Sequence, residues 1–330
     1  MKNNVFKKIA AIIVGVLWIA GVWTGYQHLY GTDNDSNNSS GSAGTITIGY
    51  QRGDIFNLAQ IEGGLKERLN EAGYKVKWKQ FTDGSALMEA LVAGSIDYGR
   101  TGNTPPVVSQ STGSDVVYVT ASSSKYEGSA ILTPEGSTIA ALTDLAGKKV
   151  AVSKGSSAHY FLIKALESVD LAPEDVDIQY LDPSEGRIAL ENNQVDAWVV
   201  WDPYTAAAQE EMNAQILTTA EGFSTDRDFI LSSKQFASEN TDINQIVVEE
   251  MANSLDWVNN HKTEIAEQLA ETLKLDASVA ELMVNRRTYG MDEISDEIMS
   301  EQQDIADTFY QYGFIDNQIT VTDAWLKTSD

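Results

Sequence analysis

Residues 150–166 read VAVSKGSSAHYFLIKAL, a β-branched run that turns through Gly-Ser-Ser into an apolar stretch at helical spacing. Gly155 lets the chain turn sharply, and Ser156 or Ser157 can cap the helix that follows. The first N–H groups of such a helix lack partners within it and, with the helix dipole, attract an oxyanion. Capping alone explains the serines equally well. A second donor-rich turn, GRTGNTPPVV at residues 99–108, carries Gly99, Thr101, Gly102 and Asn103 and puts Pro105 or Pro106 in the first turn of a helix. Two such turns facing each other would clamp one anion with neutral donors: hydroxyls, an amide and backbone N–H. A sulfonate is a permanent monoanion with three acceptor oxygens and no proton, so donors alone satisfy it. A protonated phosphate would leave its O–H seeking an acceptor.

The stretch VVWDPY at residues 199–204 supplies an apolar wall. Trp198 and Trp201 stand three apart, on opposite faces of a strand, so one meets a ligand and the other packs in the core. Trp201, beside the turn, is the expected ligand contact. Asp202 either accepts from an amine on the ligand or caps a helix from an Asp-Pro turn, and the sequence leaves both open. Signs of catalysis are poor. Ser156 and His159, three residues apart, suggest a nucleophile and its base, yet no third group orients the histidine and no nucleophile elbow precedes the serine. The other histidines are His28 and His261. No phosphate-binding G-x-x-x-x-G-K-[ST], dinucleotide G-x-G-x-x-G or zinc-binding H-E-x-x-H motif occurs in the sequence. No catalytic residue, cofactor or metal site is therefore expected.

These turns need strands and helices to hold them. From Thr45 onward the pattern alternates strand and helix, as in α/β proteins with mainly parallel sheets. Strands are expected at TITIGY, YKVKWKQF, IDYGRTG, KKVAVSK, DIQYL and VDAWVVW. Helices are expected at LAQIEGGLKERLNEAG, GSALMEALVAGS with Ser85 as cap, LTDLAG, SAHYFLIKALESVD and PSEGRIALENN, and the last ninety or so residues are helix-rich. One internal echo stands out. ALVAGSIDYGRTGNTPP (90–106) and ALENNQVDAWVVWDPY (189–204) share a plan of helix end, tight turn, β-branched residue plus Asp, short strand and proline-bearing loop. Their offset of 99 residues fits two similar α/β lobes, although short helix-turn-strand units also recur by chance.

A chain of 330 residues that is 42% hydrophobic is large enough for two ordinary domains. Its net charge is −25, and the short tail's three lysines against two aspartates leave −26 from residue 45 onward. This argues against a nucleic-acid partner or an anionic membrane surface. Cysteine is absent, which removes disulfides, thiolate metal sites and a cysteine nucleophile. Residues 1–30 differ from the rest: a basic MKNNVFKK precedes an apolar span near the about 20 residues a bilayer requires. With no clear A-x-A cleavage site, and with Trp23, Tyr26 and Tyr30 suited to an interface, a retained membrane anchor is expected, a cleaved signal being the alternative. Residues 31–44, rich in Gly, Ser and Asn, read as a flexible linker.

In order and spacing, IGYQRGD, GSIDYGRTGNTPP, LAGKKVAVSKGSSAH and VDAWVVWDPY resemble the extracytoplasmic aliphatic sulfonate-binding proteins of ABC importers, in the wider group that also binds taurine, nitrate and thiamine-precursor pyrimidines. The likeness runs from about Ile46 to Trp325. It implies an α/β, two-lobed, periplasmic-binding-protein type II fold with two hinge crossovers, near Thr133 and Phe229. Lobe 1 is expected over residues 45–133 plus 231–330 and lobe 2 over 134–230. Ligand-binding positions are expected at Gln51, Thr101, Gly102, Asn103, Ser156, Ser157, His159, Trp201 and Asp202. The implied partners are an aliphatic sulfonate and an ABC permease, and the protein is expected to be a monomer. Asn103 stands where relatives carry an acid, and Arg52 where they often carry Lys, so substrate range is open among sulfonates, taurine, nitrate and pyrimidines. An enzyme on the same fold using Ser156 and His159 is the reading from another class. A sensory ectodomain is disfavoured, because only eight residues precede the span.

Overall fold

The computed structural model describes residues 44–326. The expected anchor and most of the linker lie outside them. The chain first lays down β1 (Gly44–Gln51), β2 (Tyr74–Phe81), β3 (Tyr98–Gly102) and β4 (Val116–Ser122). It then builds β5 (Ser129–Thr133), β6 (Lys149–Val152), β7 (Asp177–Tyr180), β8 (Ala197–Trp201) and β9 (Gln215–Thr219), and returns through β10 (Asp228–Ser233) and β11 (Met291–Asp292). Two sheets result, ordered β11-β4-β10-β3-β1-β2 and β7-β6-β8-β5-β9.

Both sheets follow one plan. β1 runs parallel to β2 and β3, and β6 runs parallel to β7 and β8. An antiparallel strand then closes each parallel set, β10 against β3 and β5 against β8. The sequence echo is real at the level of single bonds. Asp97 Oδ2 accepts from the N–H of Thr47 at 2.7 Å, and Asp196 Oδ2 accepts from the N–H of Lys149 at 2.8 Å. Just upstream, the turns close through Ser95 N–H on Ala90 O and Gln194 N–H on Ala189 O, at 2.9 and 2.8 Å. Each aspartate ties the start of its strand to the neighbouring parallel strand.

The strand Ser129–Thr133, expected before the first crossover, instead pairs in the second sheet, where all five of its residues are buried. The chain therefore changes sheets across 123–128, and again across 220–227. These two segments lie side by side: the N–H of Lys125 donates to Thr225 O at 3.0 Å, and Ser124 Oγ donates to the same oxygen at 2.7 Å.

Several local expectations are corrected. The helix expected across LAQIEGGLKERLNEAG is two, Ile55–Glu62 and Gly64–Glu71, because Gly63 takes a left-handed φ of 99°. The helix Gly84–Val92 is capped by Asp83, not Ser85, through Oδ1 on the N–H of Ala86. LTDLAG forms only a 3₁₀ turn at Leu142–Leu145. Beneath the second sheet Trp198 is buried with Leu132 and Leu190. The helix Ser157–Glu167 packs against the C-terminal helix Asp296–Gln311: Tyr160 Oη donates to Asp304, and Ile163 joins the cluster that contains Phe309.

Candidate functional site

The C-terminal ends of β3 and β6 deliver the two donor turns to one place. Gly102 and Ser157 meet so closely that a Cβ on Gly102 would stand 2.2 Å from Ser157 Oγ. Gly84 is likewise required, since a Cβ there would lie 2.3 Å from Thr101 Oγ1. Thr101 is fully buried, and its hydroxyl has no hydrogen-bond partner. It lines a small cavity with Gly102, Ser156, Ser157, Gln51 and Trp201. Ser156 is the helix cap: its Oγ accepts from the N–H of His159 at 3.2 Å and donates to Ser153 O at 2.6 Å. Ser157 stands at the first helical position, where the N–H groups point out of the helix.

The floor of this cavity corrects the expectation of neutral donors alone. Arg100 and Lys125, both buried, line it together with Asp226. Arg100 Nη1 donates to Gln51 Oε1 at 2.9 Å, and the guanidinium is paired with Asp228 and lies 4.0 Å from Asp54. Lys125 Nζ sits 2.7 Å from Asp226 and 3.5 Å from Asp228. Burial pushes Asp54 up to about 7 against the pull of Arg100. Burial also acts to raise Asp228, but Arg100, Lys125 and Arg287 outweigh it and hold that carboxyl below the usual range. Arg100 was within sight inside GRTGN. Lys125 carries no local signal, because its partners lie 101 and 103 residues downstream.

A second chamber adjoins the first, sharing Gln51, Arg100, Lys125 and Trp201 and adding Asp54, Asp202, Asp228, Arg287, Met283 and Tyr289. The capping reading of Asp202 holds geometrically. Its Oδ1 accepts from the N–H of Ala206 at 3.0 Å at a helix start, while Oδ2 lies 3.2 Å from Arg286 Nε. Burial pushes this carboxyl up to about 6, opposed by Arg286.

Two expected site residues lie elsewhere. Asn103 donates to Ser224 Oγ at 3.3 Å, and its carbonyl accepts from Gln302 at 2.7 Å, outside both chambers. His159 is fully buried among Tyr180, Phe309 and Phe314, with Nδ1 accepting from the N–H of Gly155 at 3.3 Å. It meets Ser156 only through its backbone, so the ring is not placed to take a proton from that hydroxyl. Burial, with Lys154 adding to it, lowers His159 to about 4. Two further cations are engaged elsewhere: Arg52, which lines the second chamber, donates to Leu273 O, and Lys154 lies over the Tyr180 ring.

Two sheets of one plan, joined by a pair of crossovers with a donor-lined cleft above them, are the architecture of the periplasmic binding proteins. Residues 69–265 match the model of the NMT1/THI5-like family, and the chain belongs to that family. It is 33% identical over 84% of its length to a protein of Escherichia coli (strain K12) described as aliphatic sulfonates-binding, covering 86% of that relative. A Bacillus subtilis (strain 168) protein of the same description is 34% identical, with 84% of each chain covered. Among solved structures, the alkanesulfonate-binding protein SsuA from Xanthomonas axonopodis pv. citri bound to MOPS superposes with a TM-score of 0.82 at 30% identity, over 88% of this chain and all of that one. These relatives are described as binding proteins, not enzymes.

Proposed function

We propose that this protein is the extracytoplasmic solute-binding component of an ABC importer, which captures an aliphatic sulfonate between two lobes and hands it to a permease. The observation that carries this reading is the buried, unpartnered hydroxyl of Thr101 beside the start of the Ser157–Glu167 helix, in a cleft walled by Trp201. An orphaned buried donor costs free energy unless a ligand oxygen meets it. The neighbouring cations are already matched by Asp54, Asp226 and Asp228, so the ligand's charge falls to hydroxyl and N–H donors, which suits a group with acceptors and no proton. One lobe is formed by the first sheet with its helices and the other by the second, closing about segments 123–128 and 220–227. Residues 1–30 tether the protein to the membrane through the linker. Among the described residues no helix is long and apolar enough to cross one.

A thermal-shift panel of alkanesulfonates, taurine, sulfate, nitrate and pyrimidine thiamine precursors tests the reading. A sulfonate at a hundredfold excess over its Kd should add about 2.7 kcal/mol of stability. Stabilisation by nitrate or a pyrimidine, with no response to any sulfonate, would overturn it. Terminal sequencing that finds a mature amino terminus within residues 24–45 would overturn the tether.

A further inference from the structure

The second chamber is built for something other than a plain hydrocarbon. Asp228 is 1% exposed, and its Oδ2 has no hydrogen-bond partner although Oδ1 serves both Arg100 and Lys125. Asp202 Oδ2 is buried and also lacks a hydrogen-bond partner, since the nearby Arg286 Nε is not aligned with it. Arg287 Nε and Nη2 are buried and unpartnered too, and they form the edge of a guanidinium that takes a carboxylate with two parallel bonds. Its plane is fixed over the Tyr289 ring, 4.5 Å from the centroid. All three side chains line one chamber, which shares Gln51, Arg100, Lys125 and Trp201 with the anion site. An alkyl tail entering it would leave two acceptors and a two-pronged donor desolvated and unmet. A group carrying both an ammonium and a carboxylate would satisfy all of them and add no net charge.

Resting on the sulfonate reading above, we propose that the ligand is a sulfonate whose tail ends in an α-amino-acid group, with its carboxylate on the Arg287 fork and its ammonium against Asp202 and Asp228. The chemical class is the amino-acid sulfonates, of which cysteate and homocysteate are the simplest probes.

Calorimetry with cysteate, homocysteate, taurine, ethanesulfonate and propanesulfonate tests this on the wild-type protein. The better amino-acid sulfonate should bind at least tenfold tighter than taurine and than either alkanesulfonate. Arg287→Met should lower its affinity at least tenfold and should cost the amino-acid sulfonate at least fivefold more than it costs propanesulfonate, and the wild-type series decides the matter if that variant fails to fold. Alkanesulfonates binding as tightly as the amino-acid sulfonates would overturn the inference alone, as would taurine equalling cysteate and homocysteate. If no sulfonate binds, the sulfonate reading falls and takes this inference with it.

Discussion

Thr101 separates binding from folding unusually well. Its hydroxyl is buried and unpartnered, so the folded protein gains nothing from it, whereas a bound oxyanion would. Thr101→Val should therefore weaken sulfonate binding by about 1–2 kcal/mol, roughly 5- to 30-fold, while the melting temperature of the free protein holds or rises. Ser157→Ala should cost a similar amount of affinity. Calorimetry and thermal denaturation on the same samples check both; unchanged affinity in both variants would reduce the turns to plain helix starts. At this scale the sequence revealed the donors and missed their counterweights. Thr101, Gly102 and Ser157 sit in turns with local signatures, glycine before a hydroxyl in both and proline after the first. The Lys125 and Asp226 pairing exists only because two crossovers run side by side, which no local pattern encodes.

Among the elements, the Ser157–Glu167 helix has two duties. Its first turn faces the cleft, and its flank lies on the C-terminal helix Asp296–Gln311, with His159 sealed among Tyr180, Phe309 and Phe314. Burial depresses the folded pKa of His159 to about 4, below the unfolded value of about 6.5. The folded state thus binds fewer protons than the unfolded state between those values. The stability His159 contributes is complete above pH about 6.5 and is lost as pH falls towards 4, by up to about 3 kcal/mol. Asp54 and Asp202, raised by burial, act in the opposite sense over the same range. Comparing wild type with His159→Phe isolates the histidine: in urea denaturation the variant should lose less stability than wild type between pH 7 and pH 4.5. Equal slopes would show that the ring is not held neutral. The helix and its serine cap were legible from spacing and turn chemistry, as were both parallel strand sets. The true partner of β5 was not, because a short apolar run fits either sheet and only long-range pairing decides.

On the scale of the whole molecule, −26 outside the amino-terminal segment means that the protein repels the anion we propose it binds. Attraction of the sulfonate must come from donors close to the site, since Arg100 and Lys125 beside it are matched by their own carboxylates. Lowering the screening length from about 30 Å at low salt to about 8 Å at physiological salt should leave sulfonate affinity unchanged or improve it, with a faster association rate. A steep loss of affinity over this range, read by stopped-flow tryptophan fluorescence, would show that Arg100 and Lys125 hold the anion directly.

The second sheet is contiguous in the chain, all of β5 to β9, whereas the first is interrupted and completed only by β10 and β11. The two ends of that interruption touch: the N–H of Asp228 donates to Ser122 Oγ at 2.9 Å. In genetic terms the protein is one module spliced into another at a pre-closed gap. A deletion joining residue 122 to residue 228 through a short linker spans almost no distance, and the excised stretch carries every strand of its own sheet. Such a gap is also where a lineage could exchange one inner module for another, keeping the outer half and half of the cleft while changing what the cleft accepts.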